Sequence, residues 1–275
     1  MIRWCAYCQR FLSETAPFDD YRISHTICRS CSRKLGDFHQ EEADGLAGII
    51  DFYRRLESIA LGGGPATVEQ IVEESRQLGI RPVDLMMGLL QPLLEKVGTL
   101  WAAGVVTVGV EHRFSALVGD LLANLRASAP PRGARAVAPD LILINAEGNY
   151  HTLGLQMAEL YLAIRGIRTL AVVPGLPTEE VVNLVATHKP KAVGFSVALA
   201  TQMRQVREAR ETIRKLPVPP QRILIGGPAL RMGLTPDPSF QFDVCRNLAE
   251  VPILLGGSSL LGVDADGDET DGAQS

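Results

Sequence analysis

The sequence predicts an α/β protein: a four-helix bundle, then a doubly wound parallel sheet, with a small four-cysteine segment ahead of both. Three observations carry that expectation. Apolar residues recur at helical spacing from about Phe38 to Ala127. From about residue 140, strand-like apolar runs alternate with helical patterns, the rhythm of a parallel sheet covered on both faces. Four of the five cysteines fall in the first 31 residues as two Cys-x-x-Cys pairs. A chain of 275 residues can bury at least one full core, and two domains are expected. At 46% hydrophobic and 21% charged, the composition is that of an ordinary globular protein. A net charge of -4 gives no global reason to expect nucleic acid or a membrane as partner. No apolar run is long enough to span a bilayer, and Met1-Ile2-Arg3-Trp4-Cys5 lacks the apolar core of a signal peptide. The expected location is cytoplasmic.

Residues 1–35 hold Cys5-Ala6-Tyr7-Cys8 and Cys28-Arg29-Ser30-Cys31, with 19 residues between the pairs. That spacing suits tetrahedral zinc, and a reducing compartment favours metal ligation over disulfides. The segment has too few aliphatic residues for a core of its own, so it needs a staple. His25 is an alternative ligand, though four cysteines suffice. A redox dithiol is the other reading, but the βαβ context such a pair needs is missing. Arg3, Arg10, Arg22, Arg29, Arg33 and Lys34 outnumber Glu14, Asp19 and Asp20. That excess is compatible with nucleic-acid contact without demanding it. The segment resembles short zinc-binding segments appended to bacterial sensor and kinase-type signalling proteins, which implies a folding staple or a protein contact first and DNA second.

Residues 36–128 make the bundle. Leu46, Ile49, Ile50, Tyr53, Leu56 and Ile59 mark the first helix, stopped by Gly62-Gly63-Gly64-Pro65. Thr67 with Gln70 can form a capping box for the second, which Gly79 ends. Pro82 suits the first turn of a third helix running to about Ala103, with Pro92 expected to kink it. A fourth runs from about Val108 to Arg126. Short connections favour an antiparallel bundle. Residues 129–139, with Ala129-Pro130-Pro131-Arg132-Gly133, read as a linker. Residues 140–260 carry five strands, at about 140–146, 168–174, 191–197, 222–226 and 242–245, with helices between them. The acidic stretch 261–275 reads as a disordered, solvated tail.

Three motifs fall at the carboxyl ends of the first, third and fourth of these strands, where a doubly wound sheet places its ligands. They are Asn149-x-His151-x-x-Gly154, then Ser196-x-Ala198 after 41 residues, then Gly226-Gly227 after 27 more. Alone, His151 reads as a polar loop or capping residue. The three together resemble the cobalamin-binding domain signed by Asp-x-His-x-x-Gly, Ser-x-Leu and Gly-Gly. That resemblance covers about residues 138–260 and implies a flavodoxin-like sheet, His151 as lower ligand of cobalt, and Ser196, Gly226 and Gly227 around the cofactor's nucleotide tail. Imidazole is a suitable neutral donor for cobalt. Two positions depart from the signature. Asn149 replaces the carboxylate that fixes a metal-bound histidine, and its carbonyl is expected to take the same hydrogen bond without the charge. Ala198 replaces Leu.

Upstream, Trp101 is followed after nine residues by Glu111-His112. Alone, these read as a core anchor and an acidic helix start. With the downstream domain, they resemble the bundle half of cobalamin-dependent photoreceptors and related regulators. The resemblance implies Trp101 as a wall against the upper group of adenosylcobalamin or another form, Glu111 as a polar contact to it, and His112 as a replacement upper ligand. The expected function is a cobalamin-dependent sensor, responsive to light or to the cobalamin form and not an enzyme. Its expected output is through a transcription factor, a signalling protein or its own oligomer. Light-responsive repressors of this type carry a helix-turn-helix ahead of the bundle; none is seen here, so DNA binding is not favoured. The alternative is a corrinoid methyl-carrier subunit of a methyltransferase system. A mutase subunit is a weaker third reading, since it would need a barrel. Cys245 reads as a buried structural thiol.

Overall fold

The computed structural model describes residues 1–5, 8, 10–28, 31, 41–128, 138–246 and 248–255. The acidic tail and all but the last two residues of the expected linker lie outside them. Two units divide the chain, Met1–Pro131 with Gln156–Ile164 and Arg132–Leu155 with Arg165–Ser275.

The first unit opens with three short strands, β1 (Ile2–Cys5), β2 (Phe11–Glu14) and β3 (Ile23–Thr26), in the order β2-β1-β3. β1 runs antiparallel to β2 and parallel to β3. The sequence reading did not anticipate them. Four-residue strands carry too little alternation to stand out, and this sheet is fixed by packing: Ile2 and Trp4 are fully buried. Four helices follow as expected. α1 (Glu41–Ala60) buries Ile49, Phe52, Tyr53, Leu56 and Ala60, one stripe at helical spacing. α2 (Val68–Gln77) has the capping box: Thr67 Oγ1 accepts from the Gln70 N–H at 3.3 Å, and Gln70 Oε1 accepts from the Thr67 N–H at 3.1 Å.

The third helix is a composite. A single turn, α3 (Pro82–Asp84), passes into a π-helical stretch, Leu85–Leu90, and then into α4 (Gln91–Ala102). Pro92 has no N–H and its ring would press on the carbonyl four residues back. The wider π turn, with Gln91 N–H bonded to Met86 O, takes up that conflict just ahead of the proline. Leu85, Met86, Leu89, Leu90, Leu93 and Val97 stay buried throughout. α5 (Val108–Ser128) buries Phe114, Val118, Leu121, Leu122 and Leu125. Arg126 near its end pairs with the buried Glu159 at 2.7 Å, on α6 (Thr152–Ile164).

The second unit holds a five-stranded, all-parallel sheet, β4 (Leu141–Asn145), β5 (Thr169–Val172), β6 (Ala192–Ser196), β7 (Arg222–Gly226) and β8 (Asp243–Val244). Its order, β5-β4-β6-β7-β8, is the flavodoxin-like 2-1-3-4-5. Ile142, Ile144, Val193, Phe195, Ile223 and Ile225 pack on one face with residues of α7 (Thr178–His188) and α8 (Met203–Arg214). A short helix, α9 (Pro228–Arg231), follows the Gly-Gly motif and was not foreseen. Asp140, just before β4, pairs with Arg168 and Lys191 at 2.8 and 2.9 Å, at the starts of the neighbouring strands. Those two cations hold its carboxyl well below the usual carboxylate range, the hydrogen bond to Arg168 contributing most.

Candidate functional site

The switch point of the sheet lies between β4 and β6, whose carboxyl ends carry the first two motifs. Asn149 is fully buried. Its Nδ2 donates to the Ser196 carbonyl at 3.0 Å, and its Oδ1 accepts from the backbone N–H of His151 at 3.0 Å. The amide therefore shapes the loop, as Asn side chains do in turns, and ties the first motif to the second. The sequence reading had given it the imidazole of His151; in the structure its acceptor is taken by that residue's backbone. His151 itself is exposed, and neither ring nitrogen has a hydrogen bond among the described residues. That is the state of a nitrogen donor open to an incoming metal centre.

The glycines divide into two kinds. A Cβ on Gly154 would meet nothing within 4 Å, so open space adjoins the start of α6 beside His151. Gly226 and Gly227 are required by the protein itself. A Cβ on Gly226 would stand 2.9 Å from Cys245 O, and one on Gly227 would stand 2.6 Å from Val197 O and 3.1 Å from Ser196 Oγ. Gly227 also holds φ at 106°, where L side chains are strained. The second and third motifs thus touch each other across the ends of β6 and β7.

Three further residues complete this edge. Asn145, fully buried at the end of β4, donates to the carbonyls of Asn149 at 3.2 Å and His151 at 3.4 Å, and its Oδ1 has no partner among the described residues. Gln202 accepts from the N–H groups of Ala198 and Leu199 at 2.9 and 3.1 Å, fixing the loop after Ser196. A Cβ on Gly175 would fall 2.3 Å from Ala146 O. Gly175 follows Pro174, a pairing that marks a turn, and this signal could have singled it out. Cys245 is half-buried rather than buried, with burial and the nearby Glu250 and Asp243 pushing its thiol up to about 12.

In the first unit, Trp101 is 47% exposed near the end of α4, so the core-anchor reading fails. Val105 and Val108 beyond it are exposed too. Glu111 and His112 open α5, and the Glu111 carboxylate lies directly against Nδ1 of His112 while accepting from Ser115 Oγ at 2.6 Å. The His112 side chain is otherwise mostly exposed. A carboxylate behind one ring nitrogen is the usual support for a histidine that binds metal through the other.

The Sγ atoms of Cys5, Cys8, Cys28 and Cys31 all lie within 4.8 Å of one another. The Cys8–Cys28 separation of 3.7 Å matches the edge, about 3.8 Å, of a tetrahedron with metal–sulfur bonds of about 2.3 Å. Backbone N–H groups of Cys28 and Cys31 point at Cys5 Sγ and Cys28 Sγ, each at 3.4 Å. Burial, and then the neighbouring thiols, push Cys31 up to about 12 and Cys8 further. A dication among them would reverse that cost, because it binds thiolates.

Comparison with known proteins accords with this geometry. Two family models match, both described as B12 binding domain, over residues 53–126 and 139–235. The HTH-type transcriptional repressor CarH of Myxococcus xanthus is 27% identical over 154 residues, which is 54% of this chain and 49% of that protein. The chain thus aligns with about half of that relative's length. Among solved structures, the Methanosarcina barkeri monomethylamine corrinoid protein superposes with a TM-score of 0.58 over 75% of this chain and 96% of its own, at 18% identity. That likeness is one of fold. The chain thus carries two segments that match B12 binding domains, a helical one followed by an α/β one.

Proposed function

We propose that this protein is a cobalamin-dependent regulator rather than a catalyst, and that it responds to light or to the form of the cofactor. The observation that supports this most is the Glu111–His112 pair beside an exposed Trp101, on the helical B12 binding domain. The similarity to an HTH-type transcriptional repressor over about half of its length points the same way. In this reading His151 would supply a nitrogen ligand to cobalt, and the loops fixed by Asn149, Asn145 and Gln202 would hold it in place. The open space at Gly154 would leave room for the cofactor's nucleotide tail, which Ser196 would contact. Trp101 and Glu111 would line the side of the bound cofactor that faces the helical domain, and the Glu111 carboxylate would orient His112 as a nitrogen donor to cobalt. Bound cobalamin supplies visible absorption and a weak cobalt–carbon bond. The protein's part is a two-state packing around that group, passed to a protein partner or to its own oligomer. Zinc in the four-cysteine site staples the N-terminal sheet.

The test loads the chain with adenosylcobalamin in darkness, then illuminates it and follows absorbance and molecular size. A light-dependent spectral shift lost in His112→Ala, together with a size change, supports the reading. A response identical to free cobalamin removes it. Turnover of the methylated form with a thiol acceptor and a methyltransferase partner would instead favour the carrier function.

A further inference from the structure

We infer that the four-cysteine segment is a positioning clamp for the helix that ends at Trp101, so that the metal state of the thiols is read at the cobalamin cap. β1 and β2 sit on the π-helical stretch. A Cβ on Gly88 would stand 2.5 Å from Trp4 Cζ3 and 2.8 Å from Phe11 Cβ, so only glycine fits beneath these rings. Trp4 is fully buried, and its Nε1 has no hydrogen-bond partner among the described residues. Shape alone seats it. A second fastening lies one turn earlier: the buried Asp84 carboxylate accepts from the Phe11 backbone N–H while held by Arg81 at 2.6 and 2.9 Å. A third lies near the far end, where Tyr21 Oη meets Thr99 Oγ1 at 3.3 Å and Tyr53 Oη donates to the Tyr21 carbonyl at 3.1 Å. The segment therefore grips the composite helix at Asp84, Gly88 and Thr99, and Trp101 lies two residues past the last grip.

The thiols lie at the same end of these strands as Trp4 and Phe11. Cys5 follows Trp4 directly, and its Sγ receives the N–H of Cys28. Thr26, which pairs with Cys5 across β1 and β3, lies two residues before Cys28. A metal among the four sulfurs closes this end of the sheet and holds Trp4 in its seat. Its loss leaves this end of the small sheet without its metal staple. Trp4, Gly88, Asp84 and Tyr21 are then positioning residues for Trp101. The inference rests on the reading of Trp101 as the wall against the upper group.

Zinc is the probe, and the full chain is used. There are two tryptophans, so Trp101→Phe leaves Trp4 as the only indole. Stripping zinc with a chelator is expected to shift Trp4 emission to the red, and added zinc to restore it. In the otherwise native chain, zinc removal is expected to speed amide exchange across residues 82–102 by about tenfold or more. It should also weaken adenosylcobalamin binding by about tenfold, because the competent cap is then populated only about a tenth of the time. Hydroxocobalamin, with no bulky upper group, should bind as before. Gly88→Ala should keep its zinc and reproduce both effects, and the milder Tyr21→Phe should speed exchange only near Thr99. Unchanged exchange and Trp4 emission after zinc removal overturn the clamp. So does faster exchange with unchanged adenosylcobalamin affinity, if Trp101→Ala does weaken that affinity. If Trp101→Ala is silent while exchange still follows zinc, the clamp stands and the reading of Trp101 has failed.

Discussion

The amide of Asn149 donates to the Ser196 carbonyl and accepts from the His151 backbone N–H, and a carboxylate can do only the second. Asn149→Asp would set a carboxylate against a carbonyl oxygen in a buried site. We expect a loss of about 1–3 kcal/mol in the second unit, seen as a lower urea midpoint with unchanged slope. The Asn that interrupts the Asp-x-His-x-x-Gly signature is thus built into this loop, and substitution toward the signature residue is expected to weaken cofactor binding. Gly227→Ala strains a left-handed backbone and drives a methyl into Val197 O. It should cost roughly 2 kcal/mol or more and abolish cobalamin retention on gel filtration. His151→Ala should leave stability within about 0.5 kcal/mol, since the ring is exposed, but remove the histidine-ligated cobalt spectrum. An unchanged spectrum would remove His151 from the ligand set. Asn145 and Gln202 could not be picked out beforehand. Their partners are backbone groups three to six residues away, and nothing in a polar residue's identity says which carbonyl or N–H the topology will bring to it.

At the scale of elements, β4, β6 and β7 were legible because each carries a buried apolar run bounded by polar or turn residues, while the half-buried β5 and β8 were legible from their place in the alternation with helices. The helices were legible because their stripes repeat at 3.6 residues. Two things were hidden. The N-terminal strands have only four residues each and draw their order from Trp4 and from the thiols at their ends. The π stretch has the composition of an ordinary apolar helix, and only Pro92 gave notice of a disturbance. Asp140 joins the starts of β4, β5 and β6 through Arg168 and Lys191. Its carboxyl is depressed, so this contribution is complete above the unfolded value of about 3.9 and is lost as pH falls toward the folded one. Arg168 and Lys191 are about half exposed or more, so solvent screening limits the contribution to about 1 kcal/mol. Asp140→Asn should lower stability by that amount at neutral pH and flatten the acid limb of the stability profile, as followed by urea titrations between pH 7 and pH 3.

For the whole molecule, no described helix is long and apolar enough to cross a membrane. Trp4 and Trp101 report on different parts of the protein, one fully buried and one half exposed. In the cofactor-free chain acrylamide should quench Trp101 and spare Trp4, and loading adenosylcobalamin in the dark should protect Trp101. Continued quenching in the loaded protein would count against the cap. The π-helical stretch bears on how this architecture tolerates changes of length. A π turn takes in one residue more than an α turn while leaving the downstream helix facing the same way. Losing a residue within Leu85–Leu90 should therefore regularise the helix and keep the direction of Trp101, though the glycine beneath Trp4 would shift. The same loss between Leu93 and Leu100 would turn Trp101 by about 100° about the helix axis. Insertions and deletions along this arm are thus unequal: the π turn is the place where its length can change without redirecting the indole at its end.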